Sequence, residues 1–463
     1  MQRFDFVVIG AGPAGEAAVH KARALGASVA VADRRWFGGS CPHIGCVPSK
    51  SLLHSADVHA KGGNYPWIRA SDRRDYMINR RAGDQEPDDA SHVKALEDAG
   101  AVVYRGTGRI TGRGRVAVAH DAETHELETA NVVVAVGSTS KVPPIEGLAD
   151  VRPWTNEQAT LVRELPKSLL VLGGGPTGCE LAQVFARFGV PVTIVQSGPR
   201  LVPTDHPRNA DAVRWALERD GVAVRLNVRA QRARAGAGTD GAHVVELDDG
   251  STAEGHRVLL AVGRDFPLND LGLEQYGVSA GGRDGYAHDG ALRLADGLWV
   301  IGDPAGPELH THQGHYQGEL AVRMAMGEDV TPDYRALPRA TYMDPEAASV
   351  GVTLDQARDA GVDAFECVAP FPNSAKGYSV EAETGHVTIV VDRAARQLIG
   401  AAMACPDASA AIHECVLAIK ARVPVDVLAE TIHAFPSTSR ILNGLFAQAL
   451  ETLDTRTEAG SAR

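Results

Sequence analysis

Two cysteines, Cys41 and Cys46, stand with four residues between them in the run Gly38-Gly39-Ser40-Cys41-Pro42-His43-Ile44-Gly45-Cys46-Val47-Pro48-Ser49-Lys50. At a helix start, such a pair can close a strained, reducible disulfide. In the open form the helix N-terminus and Lys50 favour a thiolate. A zinc site would need a second ligand pair at suitable spacing, and none follows, so no resident metal is expected. His43 is a candidate ligand or acid–base group, though a loop histidine is more often neither. Dithiol chemistry needs an electron source, and the rest of the chain points to one.

Residues 4–33 read as strand, glycine turn, helix, strand, with Gly10-Ala11-Gly12-Pro13-Ala14-Gly15 at the turn. Gly10 makes the turn, Gly12 lets a pyrophosphate approach the backbone, and Gly15 lets helix and strand pack. The helix start then faces the negative charge. Asp33 follows at the end of the next strand, where a ribose hydroxyl needs an acceptor, with Arg34 beside it. Residues 168–196 repeat the pattern with Gly173-Gly174-Gly175-Pro176-Thr177-Gly178. Here the second strand ends at Gln196, which is neutral and repels no 2′-phosphate. Arg200 is either a phosphate contact or a plain surface arginine. The reading leans to NADPH and does not exclude NADH.

The 463 residues suggest about three domains. Hydrophobic residues at 44% and charged residues at 22% exclude a disordered chain. A net charge of −12 argues against nucleic acid or an anionic membrane as a partner. No apolar run reaches the roughly 20 residues of a membrane span, and the first residues read as a strand rather than a signal, so a cytoplasmic protein is expected. Residues 60–95, with Arg69, Arg73, Arg74, Arg80 and Arg81 followed by Asp84, Glu86, Asp88 and Asp89, read as a solvated excursion or a specificity element near a channel. Residues 233–241 read as a hairpin tip, and the chain from Thr455 as a frayed tail.

These residues in this order resemble the class I pyridine nucleotide–disulfide oxidoreductases, the family of glutathione reductase, dihydrolipoamide dehydrogenase and mercuric reductase. The resemblance also rests on Ala135-Val136-Gly137, Gly263-Arg264, Gly302-Asp303 and Asp344-Pro345-Glu346-Ala347-Ala348-Ser349-Val350-Gly351. It implies an α/β fold with two Rossmann-like dinucleotide-binding domains and a C-terminal α+β dimerisation domain. The FAD domain would take residues 1–150 and 265–335, the NAD(P) domain 151–264, and the interface domain 336–463. Asp33 would hold the FAD ribose and Asp303 would lie near its ribityl chain, with Gly39, Ser40, Gly137, Gly263 and Arg264 among the cofactor contacts. Cys46 would lie against the flavin, Cys41 would face substrate, and Lys50 and Glu180 would form an ion pair beside the flavin.

The C-terminal segment departs from that pattern. The family ends with a His-Pro segment and a Glu five residues after the His, supplied by the partner subunit as the acid–base dyad. Here the run is His433-Ala434-Phe435-Pro436-Ser437-Thr438-Ser439-Arg440. Phe435 stands in place of the His and Arg440 in place of the Glu. A phenyl ring moves no proton, which removes a contribution of typically about 10²–10⁴-fold. The branch represented by 2-ketopropyl-coenzyme M oxidoreductase/carboxylase is similar in its Phe and in its Gly-Gly-Ser-Cys-Pro-His start. Arg440 could hold a substrate anion or be a surface or interface residue.

The expectation is therefore a homodimeric FAD-dependent NAD(P)H oxidoreductase. It would pass electrons through FAD to Cys41–Cys46 and on to an atypical small thiol, disulfide or thioether substrate, by reductive C–S or mixed-disulfide cleavage. Alternatives are a quinone or metal-ion reductase, a conventional disulfide reductase with an altered acid, and a redox sensor without turnover. His310, His312 and His315 cluster after Gly302-Asp303, where the family places a flavin-adjacent segment rather than a metal.

Overall fold

Runs such as Phe6-Val7-Val8-Ile9, Val29-Ala30-Val31-Ala32 and Val132-Val133-Val134 are apolar without alternation, the pattern of parallel strands covered on both faces. In the computed structural model, which describes residues 1–279, 286 and 288–461, they lie side by side. Gln2–Ile9 pairs in parallel with Val29–Asp33 on one edge and with Glu123–Val134 on the other. Leu298–Val300 returns from far along the chain to pair in parallel with Glu123–Val134. Val102–Arg105, the edge strand Arg293–Ala295 and an antiparallel extension, Thr107–Gly112 with Arg115–His120, complete a sheet of eight strands.

Two helices meet over this sheet. Pro13–Ala24 leaves the first glycine turn, and Thr311–Ala325 follows Gly302-Asp303. Their approach is close because two positions lack side chains. A Cβ at Gly318 would strike the Ala14 carbonyl, and one at Gly314 would come within 3.2 Å of the Ala14 Cβ.

The second unit is a four-stranded parallel sheet in the order Ala223–Leu226, Val192–Gln196, Leu169–Leu172, Arg257–Leu260. A three-stranded antiparallel sheet adjoins it, and the 233–241 segment joins the first two of its strands, Ala230–Arg234 and His243–Leu247, as expected for a hairpin. The C-terminal unit is a five-stranded antiparallel sheet, from Pro338–Thr341 through Glu346–Gly351, Gln397–Cys405 and His386–Asp392 to Ala364–Pro370. The helices Ala408–Ala421 and Thr438–Ser461 belong to this unit. The first and C-terminal units bury cores around Val8 and Met403, and the core around Ile194 in the second unit also takes in Met343, Ala347 and Ala404 of the C-terminal unit.

Two sequence expectations need correction. The 60–95 segment is not merely a solvated excursion: it forms the helices Trp67–Asn79 and Ala90–Asp98, and Arg74 and Asp75 are wholly buried in the first. Their charges neutralise each other inside the fold, which composition alone does not reveal. The chain also does not lose its helix at Thr455, because Thr438–Ser461 continues past it.

Candidate active site

The first glycine turn is built as its sequence requires. Gly10 takes φ = 104°, and a Cβ there would collide with the Ala135 carbonyl; one on Gly15 would collide with the Gly10 carbonyl. Gly12 and Gly39 face each other, and a Cβ on Gly39 would sit 2.7 Å from the Gly12 Cα. Asp33 accepts the Ala11 N–H at 2.8 Å through one oxygen and the Arg35 N–H at 2.8 Å through the other. Burial pushes its carboxyl up against these two donors, which favour the charged form.

One cleft of about 640 Å³ joins the pieces. Of the sequence-predicted residues it gathers Gly10, Gly12, Pro13, Ala14, Asp33, Arg34, Gly39, Ser40, Cys41, Cys46, Lys50, Gly137, Arg264, Gly302 and Asp303, and it reaches Thr177 and Glu180 of the second unit. A floor without side chains at Gly12 and Gly39, two helix N-termini and two carboxylates suit a long, doubly charged dinucleotide. The residues present therefore fit FAD. Asp303 accepts from Ser138 Oγ, and the Arg264 guanidinium donates to the same hydroxyl and, at 2.9 Å, to the Ser138 carbonyl.

Both cysteines are free thiols. Cys46 opens the helix Cys46–Ala60. The Cys41 S–H bonded to Cys46 draws the Cys46 pKa down to about 6 against its burial, helped by Thr311 and by the charge on Lys50. The Thr311 hydroxyl lies 3.5 Å from the Cys46 sulfur. Cys41 shifts upward, because its proton is held by Cys46 and burial disfavours its charge. Hydrogen bonding and burial thus favour the thiolate at Cys46 and the thiol at Cys41.

Lys50 Nζ lies 2.7 Å from Glu180 Oε2, and the other Glu180 oxygen accepts the Tyr342 N–H at 3.0 Å. The Glu180 side chain is only 6% exposed. Burial works against the Lys50 ammonium, yet the Glu180 carboxylate more than offsets it, so Lys50 is held above its ordinary value. The Tyr342 ring lies 4.7 Å from Lys50 Nζ.

The second turn copies the first. Gly173 takes φ = 102°, a Cβ on Gly178 would collide with the Gly173 carbonyl, and Pro176 opens the helix Pro176–Arg187 after the Gly175 N-cap. Gln196 Oε1 accepts the Gly174 N–H at 2.9 Å. Gly15, Gly173, Gly175, Pro176, Gly178, Gln196 and Gly263 do not line the 640 Å³ cleft.

Phe435 and Arg440 lie elsewhere in the protomer. They line a second cleft, of about 350 Å³, on the C-terminal unit, and Phe435 is 72% exposed. Arg440 donates to Asn443 Oδ1 and forms no ion pair among the described residues. His433 does not stand free to replace the missing acid: one ring nitrogen meets Thr431 O at 2.8 Å and the other Glu414 Oε1 at 2.6 Å. His43 is buried, donates from Nε2 to the Phe37 carbonyl at 2.9 Å, and is absent from the cleft lining. Burial holds its pKa down. His310 and His312 stack at 5.0 Å, but among the described residues no three His, Cys, Asp or Glu side chains form a metal-ready group. Also among those residues, no helix is long and apolar enough to cross a membrane.

Sequence reasoning missed Ser138, Thr311 and Tyr342. Thr311 had a weak signal, since it lies inside the histidine cluster that drew attention for metal. Ser138 had none beyond adjoining Gly137, and Tyr342 none beyond standing two residues before the Asp344-Pro345 run.

Comparison with known proteins agrees with this geometry. The profile described as pyridine nucleotide-disulphide oxidoreductase matches residues 4–319, and that of the same family's dimerisation domain matches residues 337–444. A dihydrolipoyl dehydrogenase of Thermus scotoductus is 31% identical, covering 98% of this chain and 100% of its own. The solved structure of LpdA from Mycobacterium tuberculosis superposes with a TM-score of 0.86 at 27% identity, over 97% of this chain and 99% of that one. The Cu(II) complex of a cysteine-to-serine mutant of RclA, an HOCl-induced flavoprotein disulfide reductase of Escherichia coli, also gives 0.86, at 26% identity over 96% and 99%. The chain belongs to the pyridine nucleotide-disulphide oxidoreductase family, FAD-dependent oxidoreductases that work with NAD(P)H.

Proposed function

We propose that this protein is a homodimeric NAD(P)H-dependent reductase that uses Cys41 to attack a sulfur substrate which does not depend on the family's C-terminal acid. The observation that carries this reading is an intact Cys41–Cys46 couple, with Lys50–Glu180 beside it, in a chain whose dyad positions hold Phe435 and Arg440. Bound FAD supplies the two-electron relay through which NAD(P)H reduces the Cys41–Cys46 disulfide. Asp33 and Asp303 anchor that cofactor, and the second turn with Thr177 and Gln196 takes the nicotinamide dinucleotide. The neutral Gln196 leaves room for the 2′-phosphate of NADPH without repelling it. Lys50 keeps positive charge beside the redox centre, and Glu180 holds it there.

The proton count closes without a fourth group. Cys46, the thiolate, accepts the Cys41 proton as Cys41 attacks the substrate sulfur. The S–S or C–S bond breaks, its electron pair leaves with a thiolate or a carbanion, and a Cys41–substrate mixed disulfide forms. The leaving group takes the proton from Cys46, whose sulfur then attacks Cys41, closes the intramolecular disulfide and releases the second thiolate. Two electrons have passed from the dithiol to the substrate. Phe435 of the partner subunit would close the site to water, leaving the Cys46 proton as the one available to the leaving group. The exposed Phe435 and the dimerisation domain support completion of the site across a homodimer.

Anaerobic titration with NADPH tests this. Uptake of four electrons per flavin with a long-wavelength thiolate-to-flavin absorption supports a working dithiol. Uptake of two without that absorption removes the cysteines from the electron path.

A second reading is metal-ion reduction by electrons that leave the flavin without passing through the cysteine pair. It is favoured by the Cu(II) complex of RclA, which resembles this chain along nearly its whole length. Loss of Cu(II) reduction in a Cys41→Ser, Cys46→Ser double variant would sink it.

A further inference from the structure

The peptide between the two cysteines is held from outside its own loop. The Ile44 carbonyl accepts from Asn156 Nδ2 at 3.0 Å and from Thr160 Oγ1 at 3.1 Å. Thr160 has one proton, and the Asn156 carbonyl is nearer to it at 2.8 Å, so Asn156 is the firmer hold. Ser140 Oγ donates to Asn156 Oδ1 at 3.0 Å, which fixes the amide with its NH₂ toward Ile44.

Asn156 sits on the helix Asn156–Leu161, too short to be stable alone. Its N-terminus carries a capping box, Thr155 with Gln158. The carbonyls at its other end, which a helix leaves without partners, are taken by the 67–85 segment. Arg74 Nη1 donates to the Thr160 carbonyl and, at 3.3 Å, to that of Val162; Gln85 Nε2 reaches Leu161 O at 2.5 Å, and Trp67 Nε1 reaches Arg163 O at 2.7 Å. Arg74 is wholly buried, with its Nε 2.6 Å from an equally buried Asp75, which Arg163 grips from the other side. A buried arginine is costly, and here it secures the helix that pins the redox loop.

We propose that Asn156 is a positioning residue for the Cys41–Cys46 couple, holding the Ile44 carbonyl so that the two sulfurs keep their mutual seat, with the Arg74 clamp as its anchor. The inference rests on the reading of Cys41–Cys46 as the working centre. Asn156 transfers no proton or electron. Without it the Ile44–Gly45 peptide is free to turn. Cys46, which follows directly as the first residue of its helix, then drifts from the Cys41 S–H and the Thr311 hydroxyl.

The test is the pH profile of the long-wavelength thiolate-to-flavin absorption in the reduced holoenzyme, which reads the ionisation of Cys46 beside the flavin. In Asn156→Leu, a position that also lines the cofactor cleft, the midpoint is expected to rise by roughly half to one pH unit, with far-UV circular dichroism unchanged. Ser140→Ala, which only loosens the amide, is expected to shift it less and in the same direction. An unchanged midpoint in Asn156→Leu overturns the proposal. If that variant fails to bind FAD, an unchanged midpoint in Ser140→Ala overturns it instead. Substrate turnover is not read, so loss of the functional reading (turnover surviving Cys41→Ser) leaves this result standing, and the reverse also holds.

Discussion

Asp33 and Gln196 occupy the same place in two successive nucleotide-binding units. Each ends the second strand of its unit and accepts a hydrogen bond from a backbone N–H of the glycine turn, 22 residues earlier: Ala11 at 2.8 Å and Gly174 at 2.9 Å. The fold thus repeats a contact while changing its charge. An acid at the first site suits a ribose hydroxyl, and a neutral amide at the second tolerates a 2′-phosphate.

The preference for nicotinamide cofactor is expected to follow that change. The wild-type enzyme should give a higher kcat/KM with NADPH than with NADH. Gln196→Glu preserves the acceptor for Gly174 and adds a charge that repels the phosphate. The NADPH-to-NADH ratio of kcat/KM is expected to fall about tenfold, or about 1.4 kcal/mol. An unchanged ratio would show that selectivity lies elsewhere.

Cys46, with its pKa drawn down to about 6, is a thiolate above that pH and a thiol below it. At pH 7 roughly nine-tenths of it is ionised, where a free cysteine with a pKa of about 8.5 is mostly protonated. The thiolate-to-flavin absorption of the reduced enzyme is therefore expected to rise with pH through a midpoint of about 6. Cys41→Ala removes the largest cause of the shift, and its midpoint should move upward. A single midpoint of about 8.5 in the wild type, the value of a free cysteine, would contradict the geometry.

Restoring the lost dyad is a direct test of its absence. Phe435→His with Arg440→Glu re-creates the family's pair. Reduction of a small disulfide such as oxidised lipoamide is expected to increase at least roughly tenfold in kcat. No gain would mean that the 433–440 segment does not reach a partner's cysteines.

Lys50→Met leaves the redox centre without its nearby cation. The rate of NADPH-driven reduction is expected to fall by about 10²-fold in stopped flow. Glu180→Gln, which retains a hydrogen-bond acceptor, should have a smaller effect of the same sign.

Arg74→Met breaks a buried pair and strips two carbonyls of their donor. A loss of roughly 2–4 kcal/mol in chemical denaturation is expected, moderated because Asp75 keeps Arg163.

What the chain discloses before folding is what depends on neighbours in sequence. Gly10, Gly15, Gly173 and Gly178 announce their turns because backbone sterics demand them, and Cys41, Cys46 and Lys50 share one short run. Glu180 needed the family resemblance, for nothing in its own helix says that it meets Lys50 from 130 residues away. Asn156 and Thr311 reach the cysteine loop across 112 and 265 residues and carry no local mark. Arg74 was concealed by its company: it lies in a stretch whose charge density reads as solvated, and only packing shows that this arginine and Asp75 have left the water together.

The bare contact of Gly318 and Gly314 with Ala14 makes the two cleft helices one mechanical frame. One of them begins at the glycine turn beneath the dinucleotide cradle, and the other begins at Thr311 beside the Cys46 sulfur. Neither can slide without carrying the other. Cofactor loading and sulfur placement are thus geared together, so stripping the flavin is expected to unseat the thiolate as well as remove its electron supply.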